Sequence, residues 1–86
     1  MKTIYKYKID LTNPDLEMPI GAKILTVREQ SGQLCLWAEI DTEAKTELVG
    51  FKVFGTGHKM TDSDKEFVGT AFFNTGEFAF HVYKIA

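Results

Sequence analysis

The sequence predicts a mainly β domain, with about six antiparallel strands in a small barrel or sandwich and at most one short helical turn. Three observations lead there. Apolar and polar residues alternate over most of the chain, and turn-forming residues interrupt that alternation at spacings of roughly 10 to 15 residues. No long stretch carries the 3.6-residue apolar repeat of an amphipathic helix.

Thr3, Tyr5, Tyr7 and Ile9 share one parity while Lys2, Lys6 and Lys8 share the other, which predicts a first strand near 2–10 with a dry and a wet face. The three lysines also suit an edge strand, where charge discourages pairing with another chain. Pro14, Pro19 and Gly21 predict a connecting loop, since proline donates no ladder hydrogen bond. Ala22 to Glu29 is rich in aliphatic and β-branched residues, and Gln30 to Gln33 supplies a turn. The return arm, Leu34 to Ile40, is apolar on both parities until Glu39, as in a strand covered on both sides, and Trp37 is expected near the centre of the core.

Residues 41–47 are polar and fit either a hairpin loop or a single helical turn. Leu48 to Phe54 resumes the alternation and stops at Gly55-Thr56-Gly57, and a polar loop follows to residue 65. The last two strands, 66–73 and 77–85, are joined by Asn74, Thr75 and Gly76, where Asn and Gly tolerate the positive φ of tight hairpins.

With 86 residues, the chain predicts one domain spanning 1–86. A hydrophobic share of 44% and a charged share of 26% fit a packed core rather than a disordered segment. Net charge is -2, and the charges are scattered, which argues against a duplex nucleic-acid binder and, more weakly, against a single-strand binder. Cys35 is the sole cysteine, so no internal disulfide forms, which favours a reducing, cytoplasmic setting. The first residues lack the apolar run of a secretion signal, and no apolar stretch is long enough for a membrane helix.

The most site-like segment is Gly55-Thr56-Gly57-His58-Lys59. Successive N–H groups of a glycine-rich turn can cradle an anion, with His58 and Lys59 adding donors and charge. It lacks the third glycine of a dinucleotide fingerprint, because position 60 is Met, and it lacks the lysine placement of a phosphate loop. The alternative is an ordinary strand-end turn that uses glycine for its permissive backbone. Asp62, Asp64 and Glu66 open with the spacing of a calcium loop, but Phe67 and Phe73 stand where that loop needs Gly and Glu. Cys35, His58 and His81 have no metal-ligand or nucleophile spacing, and Cys35 reads as a small buried hydrophobe. No catalytic residue, metal or cofactor is expected. His81 reads as a surface or interface histidine, and apolar residues on both parities of two strands predict contact with another subunit or partner.

The order Lys2-Thr-Ile-Tyr-Lys-Tyr, Pro19-Ile-Gly-Ala-Lys-Ile-Leu-Thr-Val, Leu34-Cys-Leu-Trp-Ala, Phe54-Gly-Thr-Gly-His58, Phe67-Val-Gly-Thr and Phe80-His-Val-Tyr resembles a family of small phage and prophage proteins without an assigned function. The resemblance implies a phage or prophage source, the host cytoplasm as setting, and action by binding. The ligand would be a nucleotide-like signal to be sequestered, or a host protein to be blocked as an anti-defence measure. The contact set would be Gly55, Thr56, Gly57, His58 and Lys59 with His81 and Tyr83, on a homo-oligomer. The competing expectation is a structural or assembly component of a phage particle with no small-molecule site.

Overall fold

A computed structural model describes residues 1–61 and 63–86. It contains eight antiparallel strands and, among the described residues, no helix. They are β1 (Lys2–Ile9), β2 (Leu16–Pro19), β3 (Lys23–Gln30), β4 (Gln33–Asp41), β5 (Thr46–Val49), β6 (Phe51–Gly55), β7 (Lys65–Phe73) and β8 (Phe78–Ile85). The first sheet runs β1-β4-β3, a two-stranded ribbon pairs β2 with β5, and the second sheet runs β6-β8-β7.

The all-β antiparallel class follows the alternation, and the additional strands come from the loop expected before Ala22 and from a short strand that joins the end of the 41–47 segment to the start of the strand expected at Leu48. Leu16 to Pro19 pairs with Thr46 to Val49, with Pro19 at the end of its strand, where its missing N–H does least harm. Residues 42–45 form the turn between β4 and β5, so the helical alternative there is not realised. The strand expected over 48–54 is broken at Gly50. There the chain leaves the ribbon for the second sheet, Ile85 N–H donates to the Gly50 carbonyl at 2.9 Å, and Asp15 Oδ1 accepts from Phe51 N–H at 3.2 Å. A Cβ at Gly50 would stand 3.2 Å from Ile85 Cγ1, so a bare α-carbon suits this crossing.

The two main sheets share one core. Leu34, Leu36, Ala38 and Ile40 line the inward face of β4, and Ile9 and Val27 join them from its neighbours. Phe51, Ala71 and Val82 face them from the second sheet, and Met18 enters from the ribbon. At one side β3 runs beside β7, with Val27 against Gly69, yet no ladder joins these strands. The result is an open sandwich, not a closed barrel.

The sheet pleat overturns one expectation. Trp37 lies between Lys6 and Thr26 in register, on the outward face of β4, and is half-buried rather than central. Leu36, beside it, takes the central place with 0% exposure. Cys35 shares the outward parity of Trp37 but is only 1% exposed. Lys8 and Arg28 flank it in register, and Lys6 Nζ bonds Gln30 Oε1 at 2.7 Å across the same face, so long polar side chains cover the thiol.

The tight turns match their residues. Ser31 and Gly32, both at positive φ (52° and 77°), form the two-residue loop between β3 and β4. Asn74, Thr75 and Gly76 also hold positive φ in the turn between β7 and β8.

Candidate functional site

The turn after β6 is built from its glycines. Gly57 takes φ +84°, and His58 N–H donates to the Gly55 carbonyl at 3.0 Å. The His58 ring folds back over Gly55, where a Cβ would stand 2.7 Å from ring Cε1, so only glycine leaves it room. Thr56 N–H donates to the Ala79 carbonyl at 3.4 Å. Two N–H groups that an anion cradle would use are thus committed to the fold. Lys59 is exposed beyond the turn.

The pleat then separates the two histidines. Gly55 has the parity of Phe51 and Val53, the inward side of the second sheet, and His58 covers it from that side. His81 has the parity of Tyr83 and points outward. Phe54 and Lys52 have the outward parity on β6, as do Thr70 and Phe72 on β7, and Thr56, just past β6, reaches the same side through its bond to His81. Of the seven residues singled out from sequence, Thr56, His81 and Tyr83 therefore come together on one face, whereas His58 does not join them.

On that face both ring nitrogens of His81 are engaged. Thr56 Oγ1 lies 2.8 Å from Nε2 and Thr70 Oγ1 lies 2.9 Å from Nδ1. A neutral imidazole carries one donor and one acceptor, so one hydroxyl donates to the ring and the other accepts from it. The connectivity is that of a nucleophile, a base and an orienting group, but the third position is a hydroxyl. A hydroxyl cannot offset the charge of an imidazolium as a carboxylate does, so the arrangement fixes the ring more than it activates Thr56.

Beside His81, Tyr83 stacks edge-on with Phe54 and Phe67, at centroid distances of 5.8 Å and 5.4 Å. Lys65 Nζ lies 5.9 Å from the Tyr83 ring centroid, within cation–π range. Phe54 is buried in this cluster, while Phe67 and Phe72 remain 56% and 62% exposed. Phe67 faces Tyr83 through a bulge at Val68.

Thr70 and Phe67 belong to this face without being among the seven site residues that the sequence points to, although the turn contains the signal for Thr70. A hairpin that pairs Phe73 with Phe78 places Thr70 opposite His81 by counting back along both arms. Phe67 escapes the same count because the bulge shifts the register by one.

A depression of about 780 Å³ lies elsewhere, between the ribbon and the β6 and β8 ends, with Asp15, Glu47, Lys52 and Lys84 in its wall. It is not lined by the turn 55–59. Among the described residues no group of three His, Cys, Asp or Glu can hold a metal ion. Of the three acids with calcium-loop spacing, Asp62 lies outside the described residues. Among the described residues no helix is long and apolar enough to cross a membrane.

The sequence matches the family described as Domain of unknown function (DUF7352) over residues 1–86. No curated protein and no solved structure matches the chain.

Proposed function

The chain belongs to the DUF7352 family, and for it we propose a function in binding rather than in chemistry, exercised through the outward face of the β6-β8-β7 sheet. The observation that carries this reading is the pair of exposed phenylalanines, Phe67 and Phe72, set on one face with the Phe54–Tyr83 cluster and the clamped His81. Large exposed aromatic residues on one face of a small domain mark a contact site, and such residues supply its anchors. A flat sheet face suits a protein surface better than a small ligand, which needs a concave site that buries most of it. The proposed occupant is therefore a protein. In the phage or prophage setting that the sequence resembles, it is a host protein held by a homo-oligomer or by the single chain, as an anti-defence device.

Native mass spectrometry of gently purified protein, with the denatured mass as reference, tests this proposal alongside the Phe67→Ser/Phe72→Ser variant. A complex of defined stoichiometry that the double variant loses supports it. A monomer that carries a nucleotide-sized mass in both forms overturns it in favour of sequestration. A bare monomer in both forms, with no change in any association, also overturns it.

A further inference from the structure

We infer that the outward face of the β1-β4-β3 sheet is a second contact surface, one that holds a single-stranded nucleic acid by stacking a base on Trp37 and pairing phosphates with Lys6, Lys8 and Arg28. The pleat and the strand order bring cations of β3 to the face that already carries the lysines of β1. Register places Lys2, Lys6 and Lys8 of β1 and Lys23 and Arg28 of β3 on the face that carries Trp37. Only two carboxylates from these strands share it, Glu39 and Asp41, and both stand toward one end. Lys23 is opposite Glu39 and Lys2 is opposite Asp41. Glu39 flanks Trp37 on one side, opposite Lys23, while on the other side, around Cys35, stand Lys8, Arg28 and Gln30 with Lys6 beside Trp37, so the half of the face from Trp37 to Cys35 carries three cations and no carboxylate.

Among the described residues, the ion pairs join the Met1 amine to Asp41 and Glu43, and Lys6 bonds only the neutral amide of Gln30. The three cations near Trp37 are thus available to an outside anion. A protein of net charge -2 that concentrates positive charge around its single tryptophan presents the two elements of single-strand recognition, a cationic track and an aromatic platform. Lys6 and Lys8 are two residues apart on one strand, about 6.6 Å, a spacing suited to successive phosphates of an extended strand. An acidic peptide would meet the cations but has no use for the ring. A duplex keeps its bases stacked on each other and offers Trp37 no free face. The whole core separates this surface from the Phe67–Phe72 face, so the two readings stand or fall separately.

The single tryptophan makes the test local, since emission excited beyond the absorption band of the three tyrosines reports on Trp37 alone. The probes are an oligothymidylate of about ten nucleotides, a duplex of the same length and poly-glutamate. The expected result is saturable quenching by the oligothymidylate. With three phosphates neutralised, affinity should fall about 20-fold between roughly 50 and 200 mM salt. Lys8→Glu/Arg28→Glu, folded by circular dichroism, should abolish quenching. Trp37→Thr, folded by circular dichroism, removes the ring and should bind a labelled oligothymidylate about fivefold more weakly or worse in an anisotropy titration. Absence of quenching at low salt overturns the inference, as does equal binding of poly-glutamate, tighter binding of the duplex, or unchanged affinity in the charge-reversed variant.

Discussion

Leu36 and Trp37 are adjacent on β4, and the pleat sends them to opposite faces, so a pair of substitutions tests the fold directly. Leu36 is 0% exposed and lies between Tyr7 and Val27 in register, within the shared core. Leu36→Ala removes about three methyl or methylene groups, roughly 2.4 kcal/mol of transfer free energy, and leaves a cavity that raises the cost to about 3 to 5 kcal/mol. Trp37 is the larger side chain but rests on the outward face with part of its ring in water. Trp37→Thr keeps a good strand former and gives up only the covered part of the ring, about 1 to 2 kcal/mol.

A domain of this size has roughly 4 to 13 kcal/mol of total stability, so the expected loss in Leu36→Ala is a large fraction of the whole. Its melting temperature should drop by about 12 to 40 °C, against about 4 to 16 °C for Trp37→Thr, and at any one conversion factor the Leu36→Ala drop is the larger. Urea unfolding followed by far-ultraviolet circular dichroism measures both variants without relying on tryptophan emission. If Trp37→Thr proves as destabilising as Leu36→Ala, the assignment of β4 faces is wrong, and the basic outward face falls with it.

Three further outcomes follow from named contacts. His81→Ala removes the partner of both hydroxyls and strands part-buried Thr70 Oγ1, which should cost about 1 to 3 kcal/mol, whereas Thr56→Ala at the exposed end should cost less; thermal denaturation ranks the two, and the reverse order would refute the clamp. Thr75 is β-branched at φ 54°, a strain of about 1 to 2 kcal/mol that glycine relieves at some cost in unfolded-state entropy, so Thr75→Gly should stabilise by about 0.5 kcal/mol, and a fall in the urea midpoint would contradict this. The Asp10 carboxylate accepts from the Thr12 backbone N–H and hydroxyl, which hold its pKa below the usual carboxylate range. Its contribution is therefore full above the unfolded-state pKa and is lost as pH falls through the lower folded-state value; Asp10→Asn should be less stable than the native chain at neutral pH, with the gap closing below about pH 4, and a gap that persists in acid would count against this linkage.

Much of the fold is legible because sheet physics is periodic. The alternation in Lys2 to Ile9, the Ser31-Gly32 turn and the Asn74-Thr75-Gly76 turn each state a local conformation, and the strands form where those signals agree. The ribbon is not legible in the same way. Leu16 to Pro19 and Thr46 to Val49 are four residues each, too short to display a period, and they pair with partners about 30 residues away. Gly50 also reads as one residue within a strand, because its role as a crossing point depends on Ile85 and Asp15, which the local sequence does not reveal.

The surfaces were less legible than the core for a related reason. Parity tells which residues share a face, but not which face is inward when both are apolar. In Leu34 to Ile40 the even positions are all apolar, while Cys35 and Trp37 make the odd ones look equally dry. Three-strand register resolves the ambiguity: Leu36 meets Tyr7 and Val27, while Trp37 meets Lys6 and Thr26. Charge has the same explanation: Lys6 and Lys8 share the wet parity of one strand in sequence, but Arg28 joins them in one basic cluster only when β1 and β3 flank β4. Likewise Gly55 to Lys59 reads as one loop, yet the backbone sends Thr56 to His81 and folds His58 back over Gly55. A small sandwich has two outward faces, and this chain gives them different chemistry: exposed phenylalanines on the second sheet, and lysine, arginine and tryptophan on the first. That division leads us to propose two separate contacts, with Phe67 and Phe72 answering to a protein and Trp37 to a charged strand.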